Sequence, residues 1–128
     1  LHLLDQKRPI VCANYATRQA PILPTAYSQT RDPMFEGGGE AGVVGMGVML
    51  TETAVFRAIP KPWFAIGYSR DADEYSGEDT FFCMQATKHG FPVWVDEALS
   101  EQVSHRGGFT FEMAHTRMTR CRGLSKTR

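Results

Sequence analysis

The stretch from Tyr75 to Gly107 constrains this chain most, because a helix, a strand and a further extended segment follow one another within it. Ser76 reads as an N-cap, and Asp79, three residues later, completes a capping box. The helix is expected to run to about Lys88 and to stop at Gly90, a glycine at the C′ position. Asp79, Phe82, Cys83 and Ala86 recur at helical spacing, which puts the carboxylate at the helix mouth, on the edge of the inward face. Phe91 to Asp96 has strand composition, with Val93 and Val95 on one side and Trp94 on the other. Val103-Ser104-His105 is a further extended segment that ends in Gly107 and Gly108. The acidic pair Glu78 and Asp79 and the later His105 are expected to converge on one rim.

A length of 128 residues is about one domain. With 42% hydrophobic and 22% charged residues, the chain can bury a core. Its formal net charge of zero provides no global field, and nucleic acid is not expected as a partner. The charge is unevenly placed: Asp71, Asp73, Glu74, Glu78 and Asp79 cluster, whereas Arg117, Arg120, Arg122, Lys126 and Arg128 make the end basic. Cys12, Cys83 and Cys121 are odd in number and far apart, which argues against a disulfide framework and for a reducing, cytoplasmic compartment. No apolar run reaches membrane-spanning length and no signal-peptide pattern is read. The chain opens on Leu1 in what looks like the end of a helix, so a longer parent protein is expected.

In chain order, Pro9 to Tyr15 reads as a buried strand, Thr17 to Pro24 as a loop, and Thr25 to Thr30 as an exposed strand. Glu36 to Glu40 is a flexible turn, and Gly42 to Leu50 a strand interrupted by glycines. Glycine inside a strand signals a bulge or close approach by another group, and at Gly45 and Gly47 that group could be a sugar ring. A short helix is expected from Thr51 to Ile59, then Trp63 and Phe64 as core or sugar platform, and a polar loop reaching Ser76. Gly107 to Phe111 gives one more strand before a basic tail over 113–128.

Three pieces in this order carry a resemblance. Gly45-Met46-Gly47-Val48-Met49-Leu50-Thr51 with Val55-Phe56 resembles the acceptor-side strand, loop and helix of GT-A glycosyltransferases, of the family 2 type. Ser76-Gly77-Glu78-Asp79 with Phe82-Cys83, Ala86 and Gly90-Phe91 looks like their Glu-Asp motif and its helix. Val95-Asp96 and Val103-Ser104-His105-Arg106-Gly107 complete the series. The resemblance implies an α/β domain with a mixed sheet and flanking helices, its acceptor-side portion spanning residues 1–112. It also implies transfer of a sugar from a nucleotide-sugar donor to a hydroxyl acceptor on a glycan, lipid or protein. Asp79 would be the base, Glu78 an acceptor contact, and Gly45, Met46 and Gly47 the floor of the acceptor site, with Trp63 beside it. A divalent metal, Mn or Mg, would take His105 as a ligand. The family's nucleotide-binding half, with its Asp-x-Asp motif, would precede Leu1, so these residues alone are expected to be inactive. Asp71-Ala72-Asp73 has that spelling but lies after the acceptor strand, where the family does not place it.

Each residue also has a plainer role. Asp79 can serve only as a helix cap, and a helix N-terminus stabilises the charged carboxylate, which works against a base. Glu78 can merely complement the helix dipole, His105 can be a core or surface histidine, and Asp71 and Asp73 solvated loop charge. Inversion at the anomeric carbon follows if Asp79 is the base; retention is the alternative. A non-catalytic sugar- or partner-binding domain is the competing class. A third reading is an anion-binding module whose basic tail meets phosphates or a membrane surface.

Overall fold

Ile10, Val11 and Cys12 are fully buried, as a continuous apolar run requires when a strand is covered on both faces. In the computed structural model, which describes residues 2–18, 20–28, 35–108 and 110–121, they form the central strand of a mixed sheet. In chain order the elements are α1 (His2–Asp5), β1 (Ile10–Cys12), β2 (Gly39–Ala41), β3 (Met49–Thr51) and α2 (Thr53–Ala58). The hairpin strands β4 (Gly67–Ser69) and β5 (Glu74–Ser76) follow, then α3 (Glu78–Lys88), β6 (Val93–Val95) and α4 (Glu97–Ser100). A second hairpin, β7 (Ser104–Arg106) and β8 (Thr110–Glu112), leads into α5 (Met113–Cys121). The chain is therefore a mixed α/β domain.

Among the described residues the main sheet has the order β2-β6-β1-β3. β1 runs parallel to β6, pairing Val11 with Trp94, and antiparallel to β3, pairing Val11 with Leu50. β2 closes the other edge antiparallel to β6. The alternation expected over Val93 to Val95 holds: both valines are buried, and the half-exposed Trp94 is covered by the Arg8 guanidinium at 3.8 Å.

Helix α3 packs Phe82, Cys83 and Ala86 into the core with Val44, Val55, Ile59 and Val93. Its C-terminus ends as composition demanded. Gly90 takes φ +85°, Phe91 N–H bonds the Ala86 carbonyl at 2.9 Å, and Gly90 N–H bonds that of Thr87 at 3.0 Å. This is the paired pattern of a Schellman stop.

Its start differs from expectation. Ser76 ends β5 and Gly77 is the N-cap, with no side-chain bond to it, so no capping box forms. Asp79 caps alone, its Oδ1 accepting Thr80 N–H at 2.7 Å. Gly77 allows this, since a Cβ there would stand 2.9 Å from that oxygen.

Other departures have equally local causes. Ala26 is fully buried, so 25–28 is not an exposed strand; a single bridge joins Tyr27 to Val43, and Gln29 and Thr30 lie outside the described residues. The triple glycine is a turn only at its start, because Gly39 begins β2 and pairs with Val95. Gly42 to Val48 is bridge and turn, and the strand begins at Met49. Thr51 belongs to that strand, so α2 starts at Thr53 with Glu52 as N-cap. The supposed polar loop before Ser76 holds the β4–β5 hairpin, with Tyr68 opposite Tyr75. The basic tail is helical over Met113–Cys121, with Thr116 buried and Arg117 paired to Glu101. Arg122, Lys126 and Arg128 lie outside the described residues.

Candidate functional site

A cleft of about 550 Å³ opens beside the start of α3, lined by Thr17, Thr25, Tyr27, Ser76, Asp79 and Thr80 among others. Thr17, Thr25, Tyr27 and Val43 supply one wall, and β5 with the start of α3 the other. Asp79 sits here half-buried, held through Oδ1, and among the described residues no further hydrogen bond or ion pair engages its carboxylate. The walls carry several hydroxyl groups beside two carboxylates, the half-buried Asp79 and the exposed Glu74, a set that can bind and deprotonate an alcohol.

The opposite wall is organised by Asn14, at the end of β1 and only 1% exposed. Its Oδ1 accepts Thr25 N–H and Ala26 N–H, each at 3.0 Å, and its own N–H donates to Ser100 Oγ at 2.9 Å. Ser100 Oγ in turn donates to the Asp96 carbonyl at 2.5 Å. Asp96 is itself the N-cap of α4, its Oδ1 accepting Leu99 N–H at 2.8 Å, while Oδ2 takes His2 Nε2 and Gln6 Nε2 at 2.7 Å each. The signal for Asn14 was present in the sequence: one amide side chain inside an otherwise apolar run. Thr17, Thr25 and Tyr27 carried no such mark.

The structure gathers only some of the expected site residues. Gly45 and Gly47 do meet a close neighbour, but it is Tyr15: a Cβ would lie 2.5 Å from its Oη at Gly45 and 2.7 Å at Gly47. The same phenolic oxygen accepts Gly47 N–H at 2.9 Å. Met46 packs partly against the core. Trp63 turns away from the cleft: it lies edge-on to Phe56 at 5.2 Å, donates Nε1–H to the Ile59 carbonyl at 3.3 Å, and Lys61 Nζ stands over it at 4.9 Å. Glu78 is exposed in the first turn of α3, outside the cleft lining. Asp71 and Asp73 belong to the hairpin loop, where Asp73 accepts the Tyr68 hydroxyl; that bond holds the exposed phenol's pKa up.

His105 stands on the far side of Tyr15, ring against ring edge at 5.1 Å. Its Nδ1 is 2.9 Å from the Ala16 carbonyl. A carbonyl only accepts, so Nδ1 carries the proton and the lone pair of a neutral ring lies on Nε2. That is the tautomer in which ligating histidines are held. Neither His105 nor Glu78 is among the residues that line the cleft, so the rim expected from Glu78, Asp79 and His105 does not form around it.

Comparisons of the chain with family models, with curated proteins and with solved structures give no match. Among the described residues no group of three His, Cys, Asp or Glu could hold a metal ion. No helix among them is long and apolar enough to cross a membrane.

Cys12 and Cys83 are free and buried. Burial pushes the Cys83 thiol up to about 11 from 9.0, with the Asp79 charge adding to the rise and the Val44 carbonyl contact opposing it. Burial, then Cys83, drives Cys12 further the same way. Burial thus disfavours the thiolate at neutral pH at both positions, which works against a nucleophilic role. A thiol raised on folding loses its proton first in the unfolded chain, so the linked stability is intact below about pH 9 and falls as pH rises through about 11. The Cys83 contribution over that window is about 2–3 kcal/mol, two units at ~1.4 kcal/mol each. Urea unfolding across the window should show a decline to which Cys12 also contributes, and Cys83→Ala should make it shallower. A level profile would mean that the thiols titrate alike in both states.

Proposed function

We propose that this chain is the acceptor-side portion of a GT-A glycosyltransferase, passing a sugar from a nucleotide-sugar to a hydroxyl acceptor. The observation that carries the reading is the half-buried Asp79 carboxylate, fixed at one oxygen only, facing a cleft of threonine, tyrosine and serine hydroxyls. Those hydroxyls orient an acceptor alcohol. Asp79 takes its proton as the alcohol oxygen attacks the anomeric carbon, a new C–O bond forms, and the bond to the nucleoside diphosphate breaks. Attack opposite the leaving group inverts the anomeric centre. Glu78, exposed one residue earlier, remains an acceptor contact only for a ligand that reaches over the helix mouth. Gly45 and Gly47 support the site through Tyr15, and Met46 by packing against the core, rather than by touching a sugar.

A divalent metal in such enzymes neutralises the departing diphosphate. The described residues do not assemble a centre for it. His105, whose neutral ring keeps its lone pair on Nε2, would supply one ligand, and the rest would come from outside the described residues. The buried free thiols support a reducing, cytoplasmic setting.

The same hydroxyl-lined cleft also suits a sugar-binding domain without transfer, and one assay separates the two. The full native polypeptide is incubated with Mn²⁺, a panel of nucleotide-diphospho sugars and glycan acceptors, and release of nucleoside diphosphate is followed. Acceptor-dependent release supports the transferase. Acceptor binding without release from any donor supports the binding domain. In the same assay His105→Ala should raise the Mn²⁺ concentration needed for half-maximal activity about 10–100-fold, as ligand-shell changes do. Unchanged Mn²⁺ activation would leave His105 as a prop for Tyr15.

A further inference from the structure

A second, larger groove of about 760 Å³ lies between the β4–β5 hairpin and α3. Val43, Glu74, Tyr75 and Ser76 border both this groove and the Asp79 cleft. The two share this border, and an extended ligand that occupied both would cross it. The most prominent features of the larger groove are Tyr75, 79% exposed, and Tyr68, 50% exposed. They are cross-strand partners with ring centroids 5.0 Å apart and a 50° tilt. Packing of the fold does not account for rings left this open. Met84, also exposed, faces the groove from α3.

We infer that this groove is a subsite for the outer rings of a neutral oligosaccharide acceptor whose terminal hydroxyl enters the Asp79 cleft; only the direction of that chain rests on the transferase reading. A tyrosine ring offers an apolar face to the C–H surface of a pyranose and a hydroxyl at its rim. Ser69, Glu74, Ser76 and Lys88 add hydrogen-bonding groups around the rings. A lipid tail would leave those polar groups desolvated and unpaired, which is unfavourable. The sign of the charge excludes acidic glycans: Asp71, Asp73 and Glu74 on the hairpin, with Glu78 and Asp79 beside it, oppose sulfated or uronate chains. The groove volume falls in the range of about 300–1,000 Å³ usual for small-ligand sites, and its shared border with the cleft gives room for more than a single ring.

The test is amide shift mapping of the chain titrated with neutral mono- to tetrasaccharides of glucose, mannose and N-acetylglucosamine, with a sulfated oligosaccharide and decyl glucoside as comparisons. Affinity should rise about tenfold from mono- to trisaccharide, the gain of an added aromatic contact, with shifts at Tyr68, Tyr75 and Met84. Tyr75→Ala should abolish that gain and Tyr75→Phe should keep it. Unaltered hairpin amides elsewhere would show that the variant folds. Asp79→Asn should leave the length dependence intact, so the subsite stands even if transfer is never seen. Equal affinity for all lengths, no shift at the tyrosines with any saccharide, or a response to the decyl chain alone would overturn the subsite. Those results leave the transferase reading to its own assay.

Discussion

Asp79→Asn should lower kcat by about 10²–10⁴-fold in the full native polypeptide, the usual loss when a general base is removed. The substitution separates two roles that coincide in one side chain. Asn retains an oxygen to accept Thr80 N–H, the bond that Asp79 makes at 2.7 Å, so the first turn of α3 keeps its cap. It cannot take up a proton. Stability should therefore change by no more than about 1 kcal/mol, the loss of a favourable charge in the first turn of a helix. Asp79→Ala completes the comparison: it removes the cap too, and should cost about 0.5–2 kcal/mol on top of the same rate loss. Thermal unfolding and kcat measured side by side decide the matter. An Asp79→Asn protein that keeps most of its kcat would reduce Asp79 to a helix cap.

The largest effect on stability outside the apolar core is expected at Asn14. Asn14→Ala leaves Ala26 N–H, in a fully buried residue, without the acceptor that holds it at 3.0 Å, whereas Thr25 N–H keeps its second acceptor, the Tyr15 carbonyl at 3.0 Å. One orphaned buried amide costs about 1–3 kcal/mol, and that is the expected loss. Asn14→Asp keeps the acceptor oxygen and tests whether the amide N–H₂ matters as well. The loss should also reach function, because Thr25 lines the cleft opposite Asp79. At temperatures where Asn14→Ala remains folded, acceptor KM should rise more than kcat falls. Denaturant unfolding gives the first quantity and steady-state kinetics the second. A variant as stable as the parent would mean that another group or water satisfies the Ala26 amide.

The parts legible from sequence were those in which a local pattern and a burial pattern coincide. Helix α3 is the clearest case: its inward triad Phe82, Cys83 and Ala86, and its stop at Gly90, follow from spacing and backbone freedom alone. Val93 and Val95 were legible by alternation. The β4–β5 hairpin was not, because three-residue strands with exposed tyrosines carry no apolar alternation to read. Gly45 and Gly47 illustrate a subtler limit. Their sequence announces close approach, but not by what; the approaching group, Tyr15, lies about thirty residues away and only the fold brings it there. Trp63 likewise finds its partners on α2 rather than at the cleft, since Phe56 and the Ile59 carbonyl satisfy both its ring and its N–H. Asp79 was placed correctly at the helix mouth, whereas the identity of its cap partner depended on where β5 ended.

Tyr15 has a consequence beyond its own bonds. Its phenol fills the volume in which side chains would stand at Gly45 and Gly47, and its ring edge meets His105. It works as a spacer between the 45–47 turn and the β7 strand, so positions 15, 45, 47 and 105 are not independently designable. Anyone wishing to graft a side chain onto the turn must first shrink residue 15, and the histidine then loses the ring that keeps it upright.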